Sequence, residues 1–464
     1  MAALSPTFDT LNPAPAPATA PRGAPRTPAA AAPASALAPS VSLPLRFVLT
    51  GLASLLTGMV WLAVRPDILA AYHYNQYTVA VTHLFVLGFI TSIIMGAMYQ
   101  LVPVALETRL HSEKLAGRQF ALHLVGFAGM VWTFWIWDLK QAGHFGSILA
   151  IGAGMFVYNI ARTLRKAPRR NVISTGIASA LVWFSLGVIA GLYVAAAKCW
   201  TFSPFDAMAQ MHAHAHLASI GFFLLMIISI SYKLVPMFAL SELQNERRAR
   251  WSIRLLNLGL AGLFFAILLR SPWKLAFALV VIAAFVVYAS EMAAILRARK
   301  RRALDWGLRY FLTALALLAP LSLLALILCW PGLPATLLTT QLETVYGFAG
   351  LAGVVTFTIL GFLYKIVPFL AWYHSYSPHV GRRKVPSLAD LYSTRLQAVG
   401  YWLFLVGLAA VAVATALGHE AGVRLGLLPL LASLAVFGVN MARILSHFVH
   451  ARLEPLGTRP ASAS

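Results

Sequence analysis

From residue 43 to about residue 450 the chain consists of apolar stretches nearly free of charge, each about twenty residues or longer and separated by short polar segments. A stretch of that length, wound as a helix, reaches across a hydrocarbon layer of about 30 Å. Inside such a layer every backbone N–H and C=O must be paired within the protein, so only helices or a closed barrel can span it. No alternation of apolar and polar residues is present, which excludes the barrel. Composition agrees: charged residues are 11% of the chain, against roughly 25% in a soluble domain, apolar residues are 60%, and the mean hydropathy is +0.77. The expected fold is an all-α polytopic membrane protein of about twelve transmembrane helices, at 44–66, 77–105, 119–138, 145–165, 173–198, 207–238, 251–270, 273–296, 307–331, 340–372, 394–417 and 423–448.

The net charge of +22 points to the membrane surface and not to nucleic acid, because of where it sits. Arg109, Lys114 and Arg118 follow the second helix; Arg162, Arg165, Lys166, Arg169 and Arg170 the fourth; Arg247, Arg248 and Arg250 the sixth; Arg297 to Arg302 the eighth; and Arg382, Arg383 and Lys384 the tenth. The alternate loops hold only Arg65, Lys140, Arg270, Lys274 and Arg424. That asymmetry places both termini in the cytoplasm of a multi-pass protein, here read as one of the bacterial inner membrane. Residues 1–42 are rich in Ala and Pro and carry Arg22 and Arg26; they read as a disordered cytoplasmic tail that stays attached, and 451–464 as a second tail. Cys199 and Cys329 fall near the outer ends of the fifth and ninth helices, each before a Trp; two interfacial small residues is the simpler reading, and pairing is not decided by sequence.

Self-similarity divides the chain further. His83-Leu84-x-x-x-Gly88 and Tyr99-x-x-Val102-Pro103 in the second helix recur as His216-Leu217-x-x-x-Gly221 and Tyr232-x-x-Val235-Pro236 in the sixth, and as Gly353 and Tyr364-x-x-Val367-Pro368 in the tenth. Asn159-Ile-Ala-Arg162 in the fourth helix returns as Glu291-Met-Ala-Ala294 and Asn440-Met-Ala-Arg443. These features predict three parallel four-helix repeats, 43–170, 171–302 and 303–450, around an axis along the membrane normal. The Tyr-x-x-Val-Pro element is expected to end each helix at the cytoplasmic surface, with Tyr at the interface and Pro halting the helix.

Histidines are the chemistry-bearing residues. An imidazole within a bilayer is costly and marks function. His83 and His216 occupy the same repeat position, in the outer third of their helices, and His216 ends the cluster Met211-His212-Ala-His214-Ala-His216. His212 and His216 share a helix face, and His214 points roughly opposite. Imidazole is a common ligand of heme iron, copper and non-heme iron. Two imidazoles at equal depth on facing helices suit a bis-His heme, while a polar contact to a neighbouring helix, or surface imidazoles, is the bland reading. Glu343, at the outer start of the tenth helix, is a candidate ligand or proton carrier, or a solvated residue favoured at a helix N-terminus. His123 is expected roughly 20 Å deeper than His83 and apart from it. His111, His374, His379, His447 and His450 fall at the inner surface, and His73, His144 and His419 at the outer one. The basic residues of the sparse loops would face heme propionates.

Over residues 43 to about 450 the chain resembles subunit I of the heme-copper oxidase superfamily, with its C-type oxidase and nitric oxide reductase branches and the related NnrS family. The resemblance rests on twelve helices in threefold repeat and on an outer-third histidine, His83, in the second helix, where the superfamily has a low-spin heme ligand. It implies heme, most simply b-type, with copper or non-heme iron as further cofactors. It also implies a cytochrome or quinol electron donor and a small gas ligand. The sequence departs from the pattern in three ways. The tenth helix has Phe348 where a ligand histidine is expected; the His-x-His pair sits on the sixth helix as His214-Ala-His216; and the seventh helix, Trp251-Ser-Ile-Arg-Leu-Leu-Asn257, lacks adjacent histidines. A permuted arrangement follows: a heme between His83 and His216, and a second heme or metal at His212 or His214 with Glu343. Electron transfer or oxygen or nitric oxide chemistry, with or without turnover as a reductase, stands beside a non-catalytic heme or metal sensor or accessory protein. A solute transporter is the third reading, disfavoured because transporters show two halves with a midplane site.

Overall fold

The computed structural model describes residues 39–455 apart from 169 and 302; residues 1–38 of the tail expected at 1–42, Arg169, Arg302 and most of the tail at 451–464 lie outside the described residues, and Ser42 already begins the first helix. Twelve long helices make up the described chain: α1 Ser42–Val64, α2 Gln76–Ala105, α3 Glu113–Trp135, α4 Leu139–Lys166, α5 Val172–Trp200, α6 Ala207–Ala239, α7 Glu246–Leu268, α8 Lys274–Arg297, α9 Trp306–Cys329, α10 Leu337–His379, α11 Thr394–Ala416 and α12 Glu420–Ser446. Eleven are long and apolar enough to cross a membrane; α3 falls short because Arg118, Gln119 and His123 lie within even its most apolar stretch. The protein is thus a polytopic membrane protein.

Several helices begin earlier than hydropathy predicts. α3 starts at Glu113, α4 at Leu139 and α7 at Glu246, because Ser112, Asp138 and Asn245 accept the backbone N–H of Leu115, Gln141 and Arg248. A side-chain N-cap extends a helix through a polar first turn that carries no apolar signal.

The helices form a ring around three. In each successive set of four, the third and fourth helices pair (α3–α4, α7–α8, α11–α12) and the first lies on the second (α1–α2, α5–α6, α9–α10). The sets meet at α4–α5 and α8–α9, and α12 returns against α1, closing the ring. α2, α6 and α10 bury 67%, 83% and 89% of their most apolar windows, against at most 44% in the other spanning helices. They are the inner helices. The outer helices present Trp132, Ile151, Val182, Leu258, Leu323, Val406 and Val439 outward, as lipid-facing surfaces do.

Equivalent residues make equivalent contacts. A Cβ at Gly126, Gly259 or Gly407 would stand 2.7, 2.9 or 2.8 Å from the backbone nitrogen of Leu149, Val281 or Leu430. Glycine there lets each third helix touch its fourth, the close approach that drives helix association without a hydrophobic effect. Asn159 accepts from the Ser112 N–H (3.1 Å) and donates to its carbonyl (2.8 Å), and Asn440 does the same at Ser393 (2.8 and 3.0 Å). Glu291 accepts from the N–H groups of Gln244 and Asn245 and ion-pairs with Arg248 at 2.9 Å. The repeated Asn/Glu/Asn position therefore ties each fourth helix to the start of its third.

The Tyr-x-x-Val-Pro element behaves differently from the expectation. Tyr99, Tyr232 and Tyr364 are fully buried, and Pro103, Pro236 and Pro368 lie inside helices that run on beyond them. Tyr99 donates to Gln119 and Tyr232 bonds Ser252, both on the next helix. In the first two repeats the tyrosine is a helix-to-helix tie, while the buried Tyr364 hydroxyl has no hydrogen-bond partner among the described residues.

Candidate functional site

Each inner helix contains one π-helical segment, Leu84–Thr91 in α2, Leu217–Leu224 in α6 and Ala349–Thr356 in α10. Their starts are spaced as the tyrosines are. The π segment of α10 touches those of α2 and α6, so the three lie about the axis. A π turn frees carbonyls from the i−4 ladder, and side chains satisfy them: Thr91 donates to Val86 at 2.6 Å and Thr356 to Leu351 at 2.8 Å.

His83 and His216 immediately precede the first two segments. The Nδ1 of His83 donates to the Val79 carbonyl and the Nδ1 of His216 to the His212 carbonyl, each at 2.7 Å. A carbonyl can only accept, so both rings carry a proton on Nδ1, and the neutral ring then offers Nε2 as its acceptor atom. A backbone carbonyl fixing the far nitrogen is the arrangement that orients metal-bound imidazoles. In α10 the equivalent position is Phe348, which offers no ligand atom.

The three histidines of α6 face two ways. The ring of His214 lies against helix α5, where a Cβ at Gly191 would stand 2.9 Å from its Cε1, and its buried Nδ1 has no partner among the described residues. The ring of His83 lies 4.7 Å from that of Phe134 on α3, and His83 lines the same cavity as His214. His216 turns to α10 and stacks on Tyr346, with centroids 6.0 Å apart at 22°. Of the two histidines expected to pair, His216 faces α10 and His83 packs on Phe134, and both line one cavity together with His214.

Of the expected alternatives, His212 or His214 with Glu343, the structure brings His212 to Glu343. His212 lies with His73, from the segment between α1 and α2, and with Glu343 of α10; one ligand atom from each falls within 4.8 Å of the others. His214 is on the opposite face of the helix, as positions two residues apart must be. His73 was legible only as an outer histidine, because the turn that carries it inward, held by Gln341 Nε2 donating to the Ala70 carbonyl at 2.7 Å, leaves no sequence pattern.

His73, His83, His212, His214, His216 and Glu343 line one cavity of about 990 Å³ bounded mainly by Leu, Ala, Phe and Val. It passes around the inner helices from α1 to α12. At the Arg-poor end Lys198, Arg270 and Lys274 reach it. Arg270 lies 3.7 Å from Asp206, and Lys198 bonds the Tyr74 hydroxyl. Of the basic residues expected there, Arg65 is instead engaged by Asp67 at 2.8 Å, and Lys140 and Arg424 are not among the lining residues. Lys198, at the end of a long apolar helix, was missed.

His123 and His447 are held by neighbouring polar groups. His123 is fully buried, its Nε2 3.2 Å from the Leu87 carbonyl and 3.0 Å from the Ser92 hydroxyl. Leu87 is one turn from His83, about 6 Å along the helix, so the expected separation of roughly 20 Å is wrong: α3 begins earlier and carries His123 to the level of the π segment. His447 bonds Tyr376 at 2.6 Å near the Arg-rich end. Cys199 and Cys329 are separate free thiols.

No family model matches the chain, and no curated protein matches it in sequence. Its structure matches 33 solved chains. One is from a cryo-EM structure of a heme-copper terminal oxidase dimer, with a TM-score of 0.63 over 89% of this chain and 84% of that chain, at 12% sequence identity. The likeness shows a heme-copper oxidase-like fold.

Proposed function

We propose that the chain is a membrane heme protein whose heme, most simply b-type, is held by His83 and His214 in the space between α2 and α6. The carrying observation is the pair of rings on one cavity: His83 is fixed through Nδ1 to the Val79 carbonyl, and the buried Nδ1 of His214 has no hydrogen-bond partner among the described residues. Both open onto an apolar cavity whose volume suits a large flat ligand. Lys198, Arg270 and Lys274 supply positive charge for the ligand's carboxylates at its edge. His216, oriented in the same way as His83, offers a ligand on the α10 side.

Bound heme supplies one-electron chemistry and, at an open axial position, binding of a small gas such as oxygen or nitric oxide. The chain's own part is to exclude water with Phe134, Phe184 and Phe222, to fix imidazole tautomers through Val79 and His212, and to hold the cavity open with Gly187 and Gly191. An electron donor of the cytochrome or quinol kind would approach from the lysine- and arginine-lined mouth. The distribution of Arg and Lys supports a bacterial inner-membrane protein of three repeats, 43–170, 171–302 and 303–450, with both termini in the cytoplasm.

A second reading, a heme sensor or accessory protein without turnover, is favoured by one observation: α10 has Phe348, and α7 no histidine, where the resemblance expects ligands. The purified protein should show a Soret band and sharp reduced bands. Consumption of oxygen or nitric oxide by the reduced protein then selects the first reading, and its absence the second. A colourless preparation overturns both.

A further inference from the structure

We propose that His73, His212 and Glu343 form a binding site for a divalent transition-metal ion, of the zinc, iron or copper class, at the Arg-poor mouth of the cavity. The site stands apart from the heme reading, because none of its three residues is a heme ligand there.

The three ligand atoms come from three separate elements, the α1–α2 segment, α6 and α10, yet converge within 4.8 Å. His73 Nε2 is 3.8 Å from the Glu343 carboxylate, and the His73 and His212 rings lie nearly parallel with centroids 5.8 Å apart. A hydrogen bond does not explain this arrangement, since 3.8 Å is beyond hydrogen-bonding range. His73 Nε2 is buried and has no hydrogen-bond partner among the described residues, a costly state for an imidazole nitrogen. Its Nδ1 meanwhile faces the Thr344 hydroxyl at 3.4 Å, so Nε2 is the atom left to coordinate. Helix α10 also pins the His73 segment, through Gln341 to the Ala70 carbonyl. Ligand and support thus belong to one rigid assembly, as metal sites require.

Chemistry narrows the ion. Two imidazoles and one carboxylate favour zinc, ferrous iron or copper over calcium and magnesium, which take mostly oxygen. Bonds of about 2.0–2.1 Å at tetrahedral angles put ligand atoms about 3.3 Å apart. Three side chains sharing a contraction of about 1.5 Å reach that by small rotations. Three protein ligands leave one position open to the cavity, the pattern of metal sites that bind an exchangeable fourth ligand.

The test uses the full chain in detergent, treated with chelator, reloaded with Zn²⁺ and desalted. Zinc per chain is measured by elemental analysis, and its ligands by X-ray absorption at the zinc edge. Wild type should retain about one zinc, with nitrogen and oxygen ligands at about 2.0–2.1 Å. His73→Gln and Glu343→Gln should each lower retention at least tenfold, with the heme absorption, where present, unchanged. The exposed-histidine variant His144→Ala should retain zinc as wild type does. No retention in wild type, sulfur ligands at the metal, or full retention in His73→Gln and Glu343→Gln would overturn the site. Because zinc is read independently of colour, a heme-free preparation leaves this test intact.

Discussion

Replacing Gly191 by alanine distinguishes a His214 that carries a ligand from one that merely packs against α5. The added Cβ would stand 2.9 Å from His214 Cε1 and 3.5 Å from each ring nitrogen. Carbon–carbon contacts are comfortable at about 3.5–4.0 Å, so the ring must retreat by about 0.6–1.1 Å. An imidazole with nothing bound makes that move by a modest side-chain rotation, and helical Gly→Ala itself favours the fold by about 0.5–1 kcal/mol. A metal-bound imidazole is held to within about 0.2 Å, so the strain falls on the bound state. Overpacking of this kind costs about 1–3 kcal/mol, which corresponds to a loss of heme affinity of about 5- to 150-fold. The assay compares heme per chain after desalting, and the melting temperature of heme-depleted protein, for wild type, Gly191→Ala and Gly154→Ala. Gly154 has no atom within 4 Å of its would-be Cβ. Gly191→Ala should lose heme while melting no lower than wild type when depleted. Heme retention equal to that of Gly154→Ala would refute the reasoning.

Further outcomes follow from other contacts. Glu291→Ala removes the carboxylate that receives two backbone N–H groups and pairs with Arg248. It should cost about 3–5 kcal/mol in thermal or denaturant unfolding, with Glu291→Gln costing less because its amide oxygen can still accept. Thr91→Val strips the π-segment carbonyl of Val86 of its donor and should destabilise by about 1 kcal/mol, shifting the absorption of a heme on His83 while Thr356→Val leaves it unmoved. The Arg65 guanidinium holds the Asp67 carboxyl below its ordinary range. That pair's contribution is present above the unfolded carboxyl pKa of about 3.9 and is lost as pH falls through the lower folded value. Asp67→Asn should flatten melting temperature against pH in that acid window, by less than about 1 kcal/mol for a pair this exposed. A membrane-impermeant maleimide added from the periplasmic side should label Cys199, at the end of α5, in intact cells; labelling only after the inner face is opened would reverse the proposed orientation.

Fold class was legible because a bilayer allows few solutions and because the Tyr-x-x-Val-Pro and Asn/Glu/Asn positions repeat. Their roles were not. Tyrosine and proline near a helix end read equally well as an interfacial stop or as buried ties, and only the packing of Tyr99 on Gln119 and Tyr232 on Ser252 separates the two. Histidines at helical spacing told which of His212, His214 and His216 share a face, but not which neighbour each face meets. The offset of His123 came from the polar first turn of α3, set by the Ser112 cap and silent in hydropathy. His73 reads from sequence only as an outer histidine, and Lys198 not at all, for a related reason: a turn and a helix end aim them into the cavity. The π segments have no residue signature beyond the repeat itself, although Thr91 and Thr356 occupy equivalent places in it.

The heme assignment is tested most directly by the absorption spectrum and heme content of the purified chain beside His83→Ala and His214→Ala. The account predicts a Soret band in wild type and loss of the same heme in both variants, with His144→Ala unaffected. A colourless wild type, or full heme retention in both variants, would contradict it.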